Sequence, residues 1–255
     1  MTATPALHLR TLYTLDGAGR IVSTREPGAT PGPLFSLVRG PDECAWAVRM
    51  DVPPAAAQEL DLLARTEPPI PDLRIPPLHA ERYMAILLEF APTQDSLRQQ
   101  GGPAFAFPDG PGPAFGGYGG LGGLGGCGPN GNNAAAADGV AVVEDERALE
   151  RYFRGWVPGE IAAGRAPLMA IFVEGHPVSI CFSARNTPEA AEAGLETAAS
   201  FRGRGFGPRV TAAWARRIRD SGRIPLYSTD WTNQASLAVA RKLGLIAYAS
   251  NWTVS

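Results

Sequence analysis

The residues best placed to do chemistry are Arg202-Gly203-Arg204-Gly205-Phe206-Gly207-Pro208, which read as a turn between a short strand and a helix running to about Arg219. The first N–H groups of a helix have no intrahelical partner and lie at the positive end of its dipole. Glycines remove the Cβ atoms that would hold an anion away, so such a turn can wrap a phosphate or pyrophosphate. Arg202 and Arg204 add positive charge, and Pro208 suits the first helical turn. Two common phosphate loops are excluded. A Walker loop needs a lysine directly after its second glycine, and the chain's only lysine is Lys242. A dinucleotide fingerprint needs Gly-x-Gly-x-x-Gly, whereas Pro208 occupies the last position here. Taken alone, the run also reads as a plain glycine turn.

A second stretch narrows the choice. Pro225-Leu-Tyr-Ser-Thr-Asp230 reads as a strand, followed by a turn, an N-cap at Asn233 and a helix from Gln234 to Leu243 that stops at Gly244. Together the two stretches resemble the GNAT N-acetyltransferase superfamily. Arg202-x-x-Gly205-x-Gly207 matches its pyrophosphate loop. Asn233-x-x-Ser236 followed by Lys242-Leu243-Gly244-Leu245 matches its Asn-x-x-Ala/Ser helix, in the expected order. The run Tyr227-Ser228-Thr229-x-Trp231-x-Asn233-x-x-Ser236, with extra chain before it, is similar to the glycine-acyltransferase-like branch.

The resemblance implies an acyl-CoA-dependent N-acyltransferase. It would move an acyl group, usually acetyl, from coenzyme A to the amine of a small molecule or amino acid by direct attack. Acetyl-CoA or another acyl-CoA is then a co-substrate, and no metal is needed. It places the pantetheine arm on the backbone at Thr197, Ala198 and Ala199. The pyrophosphate would lie on Phe201, Arg202, Gly203, Arg204, Gly205, Phe206 and Gly207. Asn233 would hydrogen-bond the pantetheine, and Ser236 would face the cofactor one helical turn later.

Direct attack on a thioester needs a neutral amine, hence a proton acceptor, and a donor for the developing oxyanion. Glu196 and Glu192 lie where many family members place the base. Glu196 ranks first, being nearer the thioester by register, and either also reads as a solvated or salt-bridged carboxylate. Where the family commonly carries a proton-donating tyrosine this chain has Ala240. Tyr227 or Tyr248 could reach the same space, with Ser228 a weaker candidate, although strand aromatics are more often core.

These groups need a scaffold, and the expected class is α+β: a GNAT-type mixed, mostly antiparallel sheet flanked by helices, preceded by a smaller α+β domain. Residues 1–109 read as that accessory domain, without a recognisable catalytic motif. They hold a hairpin signal over 9–25, strands at 33–38 and 45–52, helices at 54–64 and 78–90, and a short strand at 104–107. Glycine dominates 110–139, a composition that buries too little apolar surface to offset ordering and so reads as a linker. Residues 140–255 read as the acyltransferase domain. They begin with a strand at 140–143 and an acidic-start helix at 144–156, and continue with a hairpin at 168–183. After Gly244 there is room for one strand, 246–254, where the family closes with two. The missing strand is expected to be absent, or supplied by the N-terminal domain or a second subunit.

Composition excludes other classes. The 255 residues carry a net charge of −2 with scattered basic groups, so no nucleic-acid surface or polybasic membrane patch is indicated. No apolar run reaches membrane-span length, and the first residues lack a signal-peptide core. The three cysteines (Cys44, Cys127, Cys181) are far apart, which gives no metal-ligand spacing, and their odd number fits a reducing, cytoplasmic compartment. A homodimer is allowed but not required. Two other readings stand beside the enzyme: a non-catalytic acyl-CoA-binding regulatory module, and a tandem fold for aminoacyl or peptide-bond transfer, for which no second phosphate loop is visible.

Overall fold

The computed structural model describes residues 2–90, 97–110 and 139–255, so nearly all of the expected 110–139 linker, with Cys127, lies outside the described residues. Among the described residues, strands from both ends of the chain join one nine-stranded sheet, mostly antiparallel and flanked by helices. The elements run in order as α1 (Pro5–Leu12), β1 (Tyr13–Leu15), β2 (Ile21–Thr24), β3 (Phe35–Arg39), β4 (Cys44–Val48), α2 (Pro54–Ala64), α3 (Ala80–Leu88) and β5 (Gln99–Ala106). After the glycine-rich segment come β6 (Val140–Val142), β7 (Met169–Val173), β8 (His176–Asn186), β9 (Ala190–Thr197), α4 (Phe206–Asp220), β10 (Ile224–Ser228), α5 (Gln234–Lys242) and β11 (Ile246–Val254). The large sheet has the order β4-β3-β11-β5-β10-β9-β8-β7-β6, and β1 and β2 form a separate hairpin.

One strand follows Gly244, as expected. The partner it lacks comes from the first half of the chain: β5 lies antiparallel between β10 and β11. Arg98 and Ser255 exchange backbone hydrogen bonds at the end of the β5–β11 pair. Residues 99–106 are therefore an integral, central strand of the sheet that carries the candidate site, and longer than the 104–107 read from sequence.

Helix α4 forms for local reasons. Val210, Trp214 and Ile218 recur every four residues and are fully buried against the sheet with Ala191 and Cys181. Burying such side chains contributes about 1.5–3 kcal/mol each. α5 is capped at its start by the Asn233 side chain, which accepts from Ser236 N at 3.1 Å, and ends before Gly244 at φ 63°.

Two stretches differ from their sequence reading. Residues 5–12 are helical, capped by Thr4 with Pro5 in the first turn, so the hairpin signal starts only at Tyr13. The expected helix over 144–156 shrinks to a single 3-10 turn, Glu146–Leu149. Asp145 accepts from Arg147 N, while the Glu146 carboxylate reaches the N–H groups of Gly159 and Ile161. Side-chain bonds of this kind compete with helix hydrogen bonds, and Leu149, Phe153 and Trp156 pack as an irregular layer instead.

Candidate active site

The site begins where two strands part. β9 and β10 are parallel and pair only through Ile224 with Ala190, Pro225 with Ala191 and Leu226 with Glu192. Beyond Glu192, β9 continues to Thr197 paired with β8 alone, and β10 continues to Ser228 paired with β5 alone. Among the described residues, the split leaves one backbone edge of residues 193–197 without a strand partner. It opens into a cleft of about 820 Å³, lined by residues of this edge, the 201–207 turn and α5, together with Tyr152 and Phe153. That volume is in the range of small-molecule and cofactor sites.

The turn has the form its sequence suggests. Gly205 is the N-cap of α4 at φ 76°, a left-handed conformation that side-chain-bearing residues rarely adopt. Phe201, Arg202, Gly203, Gly205, Phe206 and Gly207 line the cleft, as does Pro208 in the first turn of α4. Arg202 Nε donates to Thr197 O at 3.2 Å, tying the turn to the end of β9. Arg204 instead lies at the surface over the Phe201 ring, with its guanidinium 5.0 Å from the ring centroid. Of the three residues expected along the cofactor arm, Thr197 ends β9 and Ala198 leads into a 3-10 turn that starts at Ala199; all three line the cleft.

Residues on β9 alternate between two faces. Ala191, Ala193 and Leu195 pack toward α4. Glu192, Gly194 and Glu196 point to the opposite face, where the Phe182 ring lies so close to Gly194 that an added Cβ would come within 2.4 Å of it. Glu196 is exposed and forms part of the cleft wall, and among the described residues no side chain hydrogen-bonds its carboxylate.

Glu192 is different in kind. It is only 2% exposed and lies outside the cleft wall, at the root of the split. Arg185 Nη1 donates to it at 2.7 Å, and the Ser228 hydroxyl donates to its other oxygen from across the split. Arg185 is also paired with Glu26. Burial pushes the Glu192 carboxyl upward, but Arg185 and the hydrogen bonds outweigh it and hold the group below the ordinary carboxylate range. Beside this pair lies His8 of α1, fully buried, with Nδ1 2.9 Å from the Tyr248 hydroxyl. Burial lowers the His8 pKa and keeps the ring neutral.

Tyr227, also a candidate proton donor, is 2% exposed, with its hydroxyl 2.5 Å from Ser236 Oγ. Ser236 and Asn233 both line the cleft. Burial raises the Tyr227 pKa to about 12, so the phenol stays protonated at neutral pH. Tyr248 points instead to His8. Glu196, Thr197, Ala198, Ala199, Asn233, Ser236 and most of the turn thus line one cleft, with Glu192 outside it and Tyr227 one hydrogen bond from Ser236. Sequence reasoning overlooked Arg185 and His8, which carry no local motif, and Lys242 as part of the cleft wall.

Residues 168–254 match the family model described as GNAT acetyltransferase. No curated protein matches the sequence. Among solved structures, the chain is similar to an acetyltransferase of the GNAT family from Novosphingobium aromaticivorans, at 18% identity, 64% of this chain, 68% of that chain and a TM-score of 0.45. It is also similar to a GCN5-related N-acetyltransferase-like protein from Streptococcus suis, at 15% identity, 88% of this chain, 85% of that chain and a TM-score of 0.44. A third is an acetyl transferase from Salmonella typhimurium that modifies the N-terminal serine of 50S ribosomal subunit protein L7/L12, at 19% identity, 44% of this chain, 74% of that chain and a TM-score of 0.32.

Proposed function

We propose that this chain is an acyl-CoA-dependent N-acetyltransferase acting on the amine of a small molecule. One observation carries the reading: the split after Glu192 and Leu226 opens into the same cleft as the glycine turn and Asn233. A strand edge with free backbone groups, running directly into an anion-binding helix start, suits a ligand with an amide-bearing arm on a pyrophosphate. The pantetheine arm lies along the open edge of 193–197 and passes Asn233. The pyrophosphate is held by the 201–207 turn, with Ala198 and Ala199 between. The free thiols Cys44 and Cys181 are in keeping with the cytoplasmic setting expected from composition.

In the reaction the neutral amine attacks the thioester carbon while Glu196, on the cleft wall, takes its proton. A backbone N–H of the open β9 edge donates to the developing oxyanion. As the C–S bond breaks, the Ser236 hydroxyl protonates the thiolate and recovers its proton from Tyr227; Glu196 then releases the amine's proton to solvent, and one proton taken from solvent restores Tyr227. Replacing Tyr227 with phenylalanine is expected to lower kcat about 10- to 100-fold with the KM for acetyl-CoA unchanged, at or below the lower end of the range for acid–base groups because a thiolate leaves readily. Steady-state kinetics that match the wild type would remove Tyr227 from the reaction.

The function is tested by thiol release from acetyl-CoA across a panel of small amines. Amine-dependent release supports the enzyme. Acetyl-CoA binding with no release on any amine would favour a non-catalytic binding module instead.

A further inference from the structure

We propose that Arg74, stacked on Trp231, clamps the turn that presents Asn233, so that the first half of the chain sets how tightly the cleft holds the acyl-CoA arm. The proposal rests on the acyl-transfer reading above and adds a positioning residue to it. Its basis begins with the backbone. β10 ends at Ser228, but the chain beyond it stays on β5: Thr229 N donates to Pro103 O at 3.3 Å and Trp231 N to Gly101 O at 3.2 Å. Between these two bonds, Gly102 lies so close to the turn that an added Cβ would come within 1.7 Å of Thr229 O. Asn233 N then donates to Asp230 O at 3.1 Å and closes the turn. Asn233 caps α5 through its side chain and lines the cleft, so the placement of residues 229–232 determines where its amide sits.

A second hold on this turn comes from the loop between α2 and α3. The guanidinium of exposed Arg74 lies 4.5 Å from the centroid of the half-buried Trp231 ring, within cation–π range. That loop is itself tied to the core. Ile75 O, next to Arg74, accepts from Arg39 Nη2, and Arg39 is buried and paired with Glu67. Glu67 in turn accepts from Leu78 N and His79 N at the end of the loop. Arg74 therefore reaches Trp231 from an anchored base, and Trp231 is two residues from Asn233. Neither Arg74 nor Trp231 is among the described residues that line the cleft. Both act through Asn233.

The test is calorimetric titration of acetyl-CoA into the full chain, with the melting temperature measured alongside. Arg74→Gln removes the charge and is expected to raise the Kd about two- to fivefold, the equivalent of one exposed cation–π contact. Its melting temperature, and its kcat at saturating acetyl-CoA, are expected to stay near wild type. Arg74→Lys keeps a cation for the ring and is expected to recover most of the loss. Asn233→Ser supplies the second arm, because it takes away the amide but leaves a hydroxyl able to cap α5. In that background Arg74→Gln is expected to add nothing, since the group it positions is gone. An Arg74→Gln protein that melts like wild type with an unchanged Kd would overturn the proposal, as would equal losses for Arg74→Gln and Arg74→Lys. Additive losses in the Asn233→Ser background would overturn it too, because Arg74 would then act independently of Asn233. Failure of the underlying function looks different: wild type would bind no acetyl-CoA at all, and the inference would fall with it.

Discussion

Glu196→Gln is expected to lower kcat for acetyl transfer by about 10²–10⁴-fold, the range over which a positioned proton acceptor contributes. The substitution is nearly isosteric. The side chain is exposed at the cleft wall, and among the described residues no side chain bonds its carboxylate, so the fold and acetyl-CoA affinity should be retained. The contrast with Glu192 makes the prediction specific. Both carboxylates lie on one face of β9, four residues apart, yet Glu192 is engaged by Arg185 and Ser228. A carboxylate so held is a poor acceptor of a substrate proton. Steady-state kinetics with saturating acetyl-CoA decide the matter: a variant within about threefold of wild type would show that Glu196 is only a solvated surface charge.

The second large effect concerns stability. Glu67→Ala is expected to destabilise the fold by about 3–5 kcal/mol, the cost of removing one partner of a buried ion pair. Glu67 is 5% exposed and accepts from Leu78 N at 3.0 Å, His79 N at 2.9 Å and the Tyr83 hydroxyl at 3.0 Å. The oxygen that accepts from Leu78 N also lies 3.7 Å from Arg39 Nη1, whose side chain is 2% exposed. Removal strands a buried guanidinium and leaves two N–H groups at the start of α3 without an acceptor. α3 covers the core built on Phe35, Leu60, Tyr83 and Trp252, so β3 and β11 are destabilised with it. Denaturant unfolding measures the change. A loss under about 1 kcal/mol would mean that water or rearranged side chains replace the carboxylate.

The parts of the fold that sequence made legible are those whose signals are local. Gly205 and Pro208 mark the start of α4, the spacing of Val210, Trp214 and Ile218 marks its buried face, and Asn233 and Gly244 bracket α5. Each of these depends on neighbours within a turn or two. The place of β5 does not. Gln99–Ala106 holds two glycines and a proline, weak strand formers, and becomes a central strand because β10 and β11 both lack a partner. The 144–156 stretch has helical spacing, but Glu146 finds acceptor work at Gly159 and Ile161, and packing of Phe153 and Trp156 overrides propensity. At the site, the phosphate turn could be read directly. The environment of Glu192 could not, because Arg185 and Glu26 meet from 159 positions apart and His8 and Tyr248 from 240.

The claim on which the rest depends is that the split and the glycine turn hold an acyl-CoA. Calorimetric titration of acetyl-CoA into the full chain tests it most directly. The account predicts saturable one-to-one binding that weakens at least tenfold when the Gly205 position, held at φ 76°, is changed to valine. No binding heat with the wild type, at concentrations well into the millimolar range, would contradict it.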